Sequence, residues 1–347
     1  MSMDIGARGF WKLVAVAAVL GGLAAPTLAA SAEVNIYSFR KEALIRPQLD
    51  AFTRATGIEV NLLTGSADGL IERLRSEGRN SPADVLLTAD AGRLARAQSF
   101  GLLQAVRSAA LEAAVPAELR DPDGYWFGLS IRARPIFYAK GRVDPSELST
   151  YEDLADLKWR GRVLIRSSSN IYNQSLLAAM IAKNGAAAAE AWANGVKANM
   201  ARRPQGGDTD QLRALAAGEG DIAIANTYYY GRLLASDDAG DREVAAKIGL
   251  FWPNQDGRGT HVNISGGAVA VHAPNRDNAV RLLEFLASDE AQELYAGVNH
   301  EFPIRAGIAR SAVVSSFGIF VADDLPLHLL GKFNAEAVRI FDRVGWR

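Results

Sequence analysis

The sequence predicts an α/β protein of two lobes with a ligand cleft between them, and three observations carry that expectation. Short apolar runs of strand character alternate with amphipathic helical patterns, the order that builds a mostly parallel sheet covered by helices. About 315 residues remain after an export-type leader, more than a single core usually holds. Two alternating apolar runs, residues 129–138 and 265–272, are spaced to carry the chain from one lobe to the other and back, forming a hinge of crossover strands.

Each element has a local reason. Arg8 and Lys12 make a basic start, residues 13–23 an apolar run and Ala30-Ser31-Ala32 a small-residue cleavage site, so residues 1–32 read as a signal peptide and the mature chain as exported. The apolar run is short of the roughly 20 residues that span a bilayer. Val34-Asn35-Ile36-Tyr37-Ser38 alternates like a strand, and residues 44–56 follow as a helix that Gly57 stops. Residues 58–63 supply a second strand, 70–77 a helix and 83–87 a third strand. In the second lobe, 163–166 and 221–225 are strands, with helices over 173–184 and 186–200. Residues 277–286 and 288–295 are helical patterns that rejoin the first lobe, and 325–344 is a helical tail. The resulting division is 33–130 for the first part of lobe 1, 131–264 for lobe 2, 265–310 for the return and 311–347 for a C-terminal helical region.

Composition narrows the chemistry. Cysteine is absent, which removes disulfides, thiolate metal sites and cysteine nucleophiles. A formal net charge of −1, with Lys and Arg dispersed, gives no nucleic-acid stripe and no polybasic membrane patch. The four histidines lack any short metal-ligand spacing. No phosphate-cradling glycine loop, nucleophile elbow or paired-carboxylate motif is present, so no enzyme is expected.

The informative segment is Asn226-Thr227-Tyr228-Tyr229-Tyr230-Gly231-Arg232, three tyrosines at a strand's carboxyl end, where open α/β sheets meet their ligands. Tyr172 also follows a strand and precedes a helix. A phenol, with an ordinary pKa near 10, ligates at neutral pH only when a hard, highly charged cation displaces its proton. Ferric iron is such a cation, and three phenolates would neutralise its charge. The same run also suits packing at a core edge or stacking on an organic ligand. Asp90, at another strand end, reads as a helix cap.

Asn226-Thr227-Tyr228-Tyr229, together with Ile171-Tyr172-Asn173-Gln174-Ser175-Leu176, resembles the ferric-ion-binding proteins of bacterial iron ABC importers, which are transferrin-like periplasmic binding proteins of type 2. The likeness extends to Ile36-Tyr37-Ser38-Phe39-Arg40, Ser81-Pro82-Ala83-Asp84-Val85, Asp90-Ala91-Gly92-Arg93-Leu94 and Gly128-Leu129-Ser130. It implies Fe(III) as cargo, a permease in the inner membrane as partner, a periplasmic monomer, and Tyr172, Tyr228 and Tyr229 as ligands. Tyr230 lies outside the implied set and reads as a packing residue.

Many relatives add a histidine or tyrosine after the first strand, where this chain has Arg40-Lys41-Glu42. Either three tyrosines suffice, with carbonate or another synergistic anion completing the shell, or Tyr37 or Glu42 turns inward; the first is the expectation. The resemblance places Arg132 and the loop containing Ser167 and Ser168 beside the anion, and the strand-end position adds Arg40. The alternative is the same fold holding another solute, such as a polyamine, thiamine or a phosphonate.

Overall fold

A computed structural model describes residues 32–347; the expected leader, save Ala32, lies outside them. The first lobe begins with β1 (Glu33–Ser38), α1 (Glu42–Thr56), β2 (Glu59–Thr64), α2 (Ala67–Glu77), β3 (Val85–Ala89), α3 (Ala91–Ser99), α4 (Ala109–Ala114) and β4 (Phe127–Ala133). The second holds β5 (Ile136–Ala139), β6 (Val163–Leu164), α5 (Ile171–Asn184), α6 (Ala186–Ala198), α7 (Asp208–Ala217), β7 (Ile222–Ile224), α8 (Thr227–Leu234), α9 (Ala239–Lys247) and β8 (Ile248–Phe251). The chain then returns through β9 (Val262–Val269), α10 (Arg276–Leu286) and α11 (Asp289–Val298), and ends with α12 (Ala312–Ser316) and α13 (His328–Val344). Gly57 ends α1 as the spacing predicts: it sits at φ 71° and its N–H reaches the Thr53 carbonyl at 2.8 Å.

The two lobes rest on two sheets, ordered β2-β1-β3-β9-β4 and β6-β7-β5-β8. They are less parallel than the alternation of elements predicts. β1 pairs in parallel with β2 and β3, but β9, arriving from the second lobe, runs antiparallel to both β3 and β4. In the second sheet only β6 and β7 are parallel.

The expected single strand over 129–138 is two strands, one in each sheet. Pro135 has no N–H to give to a ladder, and the chain leaves one sheet and enters the other there. As a result residues 131–133 and 262–264, expected in lobe 2, pair with each other in the first sheet.

One buried apolar cluster runs from the first sheet through α3 and α13 to α5 and α6, while a second, around Phe137, Leu215, Tyr230 and Phe317, belongs to the second lobe. α13 packs on α5 and α6 on one side and on α3 on the other, so it touches both lobes. The contact with α3 depends on Gly331, because a Cβ there would overlap the Cβ of Ala95. Gly331→Ala gains about 1 kcal/mol of helix propensity but overpacks this contact by about 1–3 kcal/mol. The expected result is a thermal midpoint lowered by a few degrees in a calorimetric scan; an unchanged or raised midpoint would show that α13 yields freely.

Among the described residues, no helix is long and apolar enough to cross a membrane.

Candidate metal centre

Two helix starts bring the tyrosines together. Tyr172 lies in the first turn of α5, where the Asn170 side chain accepts its backbone N–H at 3.1 Å. Tyr228 and Tyr229 lie in the first turn of α8, directly after β7. All three phenols therefore stand at helix N-termini, whose partial positive charge favours an anionic oxygen. The Tyr228 hydroxyl donates to that of Tyr172 at 3.3 Å, and the rings of Tyr228 and Tyr229 lie 4.2 Å apart at 35°. Tyr230, next in sequence, points the other way: its ring packs 5.2 Å from Phe137 in the second-lobe core.

The phenols face a cavity of about 340 Å³ between the lobes. Its first-lobe wall includes Phe39, Arg40, Lys41, Leu44, Thr88, Arg132, Tyr295 and Glu301; the second lobe adds Tyr172, Tyr228, Tyr229 and Arg232. Burial, then the neighbouring Tyr172 and Tyr229, push the Tyr228 phenol well above its ordinary range, with Arg132 opposing. Tyr229 is raised as well, first by burial and then by Tyr172 and Asp208. Both are therefore protonated at neutral pH until a strong Lewis acid takes the place of the protons.

Arginines surround the cluster. Arg132 is 2% exposed and lies 5.2 Å from the Tyr172 ring and 5.8 Å from the Tyr228 ring. Its Nη2 donates to the Ile264 carbonyl at 2.6 Å, while Nε and Nη1, also buried, have no protein partner. Two buried donors without a partner thus lie on the cavity wall. The exposed Arg232 stands 5.1 Å from the Tyr228 ring and 5.5 Å from that of Tyr229. Among the described residues no group of three or more His, Cys, Asp or Glu is arranged to hold a metal, so the phenols are the donors that suit one.

Arg40 reaches the cavity as expected, but it is already paired: its Nη2 donates to Glu301 at 2.8 Å and its guanidinium sits 5.4 Å from the Tyr295 ring. Glu301 also accepts from the Ser130 hydroxyl. Burial alone raises the Glu301 carboxyl, yet Arg40 and Arg132 outweigh it and hold the group below its ordinary range. Burial pushes Tyr295 up to about 12, with Arg40 opposing.

Neither the alternative ligands Tyr37 and Glu42 nor the expected anion contacts Ser167 and Ser168 line this cavity. The Tyr37 hydroxyl is turned toward α2 and donates to Glu77 at 2.8 and 2.9 Å. Glu42 is exposed in the first turn of α1 and accepts from Arg46 at 2.5 Å, an i,i+4 pair. Ser167 and Ser168 belong to the turn leading into α5: the Ser167 hydroxyl faces that of Ser169 at 3.0 Å, and the carbonyls of Ser167 and Ser168 accept from Asn173 and Gln174. Local capping consumes that loop. Asp90 caps α3 as the sequence suggests, accepting from Gly92 N–H at 2.9 Å, and it also accepts from Ser175 of α5 at 2.6 Å.

Glu301 and Tyr295 went unnoticed in the sequence. The Glu301 position between His300 and Phe302 carries no motif, and only its approach to Arg40, far away in the chain, makes it part of the wall.

Two α/β lobes with an arginine- and tyrosine-lined cleft between them are the architecture of a solute-binding protein. The chain belongs to the bacterial extracellular solute-binding protein family, which matches residues 48–320. It is 52% identical over 315 residues to Iron uptake protein A1 of Synechocystis sp., spanning 91% of this chain and 88% of that protein. The solved structure of Trichodesmium IdiA (FutA) in complex with iron and citrate has a TM-score of 0.89 at 52% identity, spanning 91% of this chain and 100% of that one. Apo FutA2 from Synechocystis PCC6803 follows at 0.87 and 48%, spanning 92% and 100%.

Proposed function

We propose that this chain is the periplasmic substrate-binding protein of an ABC importer, that it binds ferric iron through Tyr172, Tyr228 and Tyr229, and that it delivers the ion as a monomer to an inner-membrane permease. The observation that carries this reading is the convergence of three phenols, those of Tyr172 and Tyr228 buried and that of Tyr229 half-buried, on a cavity beside the unpartnered nitrogens of Arg132. The iron-uptake relatives and the iron complex of the Trichodesmium protein support it.

Charge counting extends the reading to an anion. Three phenolates cancel a trivalent ion, and the single charge of Glu301 is shared by Arg40 and Arg132, which leaves Arg132, Arg232 and Lys41 on the wall short of counter-charge. A carbonate or a small polycarboxylate bound with the iron supplies it. The lobes close on the loaded site and the permease favours the open form. Acid loosens the site because protons compete for phenolate; reduction does so because Fe(II) carries less charge to hold phenols ionised.

The test is a visible absorption titration of the purified mature chain with ferric nitrilotriacetate, with and without bicarbonate or citrate. A tyrosinate-to-iron charge-transfer band is expected, strengthened by one of the anions. Folded protein that develops no band would move the assignment to an organic anion held by the same arginines.

A further inference from the structure

We infer that Arg134, paired with Asp208, is a positioning residue of the iron site, holding the two tyrosine-bearing helix starts at a set distance from one another. This rests on the tyrosine reading above.

Arg134 occupies the break between β4 and β5 and is 2% exposed. It lies beneath the tyrosines, with its guanidinium carbon 5.9 Å from the Tyr172 ring, and is not part of the cavity wall. Its Nη2 donates to the Asn173 side chain at 2.7 Å; its Nη1 donates to the Asn226 side chain at 3.0 Å and to Asp208 at 3.1 Å. Asn173 is the residue after Tyr172, and Asn226 is the N-cap of α8, two residues before Tyr228. A single planar fork thus binds both segments that deliver phenols.

The partners are themselves tied down. Asp208, fully buried at the start of α7, also accepts the Asn226 backbone N–H at 2.8 Å and faces Arg166 at 3.5 Å. Asn173 donates to the carbonyls of Arg166 and Ser167 at 2.8 and 3.1 Å. The Arg134 backbone is anchored too: its N–H reaches the His261 carbonyl at 3.1 Å and its carbonyl accepts from Tyr151 at 2.8 Å.

Stability alone is a weak reason for such an arrangement, since a buried ion pair often gives no more stability than well-packed apolar residues would. Its geometry supplies another. Tyr172 sits on α5 and Tyr228 and Tyr229 on α8, with the long 3.3 Å hydroxyl bond between Tyr228 and Tyr172, so a rigid outer partner holds the two helix starts at one spacing for one ion.

The experiment compares Asn173→Asp, which keeps an acceptor for Arg134 but loses the bonds to the Arg166 and Ser167 carbonyls, and Asn173→Ala, which loses both, with Arg134→Lys, whose point charge cannot span both segments, and with the double variant of Asn173→Ala and Arg134→Lys. Ferric affinity is measured by competition with nitrilotriacetate, the visible band is recorded, and the iron-free protein is melted. Asn173→Ala is expected to weaken ferric binding by roughly 10–100-fold, the range for outer partners of metal ligands, and to shift the band. Arg134→Lys acts in the same direction, and the double variant is no weaker than Arg134→Lys alone. Should Arg134→Lys fail to fold, Asn173→Ala set against Asn173→Asp decides. A lowered melting point with wild-type affinity and an unshifted band would reduce Arg134 to a structural ion pair and overturn the inference. A wild-type protein without any tyrosine-dependent band overturns the tyrosine reading itself, and this inference with it.

Discussion

Replacing Tyr228 and Tyr229 together by Phe is expected to abolish the visible band and to lower ferric affinity by more than the roughly 100-fold that marks loss of an outer partner. The variant keeps both rings, so the 4.2 Å ring contact at the start of α8 survives. What disappears is two hydroxyl oxygens and the weak bond from Tyr228 to Tyr172. Both phenols resist ionisation and Tyr229 is only half-buried, so loss of the two hydroxyls costs the iron-free fold about 1 kcal/mol at most. The pairing of a near-normal melting curve with lost binding is what separates a ligand from a packing residue. Tyr230→Phe is the internal control: its hydroxyl makes only long bonds, at 3.3 and 3.4 Å, to the carbonyls of Ala245 and Ile248, and its removal leaves iron binding intact. Unchanged affinity in the double variant would sink the assignment of these tyrosines.

Glu301→Ala is expected to be the most destabilising single change at the cleft, at about 3–5 kcal/mol, because it strands Arg40 and leaves Arg132 with less counter-charge in a buried wall. Chemical denaturation of the iron-free protein measures it. The acid side of the stability profile reports the same pair. The Glu301 carboxyl is held below its unfolded value of about 4.3, so the unfolded chain binds the proton more readily as pH falls. The contribution is therefore complete above that value and is lost as pH drops through the folded one. Glu301→Gln cannot ionise and is expected to flatten this acid limb while lowering stability at neutral pH. An acid limb identical to wild type would show that other carboxylates govern it.

Legibility in the sequence followed the range of the forces involved. Gly57 as a helix stop, Asp90 as a cap and the strand-helix order depend on neighbours a few residues away, and each is found as the local pattern predicts. The tyrosine run was visible because its members are consecutive and follow a strand. Whether Tyr37 or Glu42 turns inward was open because nothing in the pattern tells which way a strand-end side chain turns; Glu77 and Arg46 engage them instead. Ser167 and Ser168 bond within their own turn, and serine chemistry serves an anion and a turn equally. Pro135 did mark the break between sheets, but the alternating apolar run around it read as continuous. Glu301 was out of reach because its meaning lies in Arg40 and Ser130, far off in the chain.

The seat of β9 between β3 and β4 also dictates an order of assembly. The second sheet is complete once residue 251 has emerged, whereas the first lacks its inner strand until residues 262–269 follow. Until then β3 and β4 each present an unpaired edge, open to a wrong strand from another chain. The sheet that starts the polypeptide is thus the later of the two to close, through contacts distant in sequence, which are slow to form. A newly made chain stays longest in a half-built state on its N-terminal side, and it is there that a holding chaperone has most to shield.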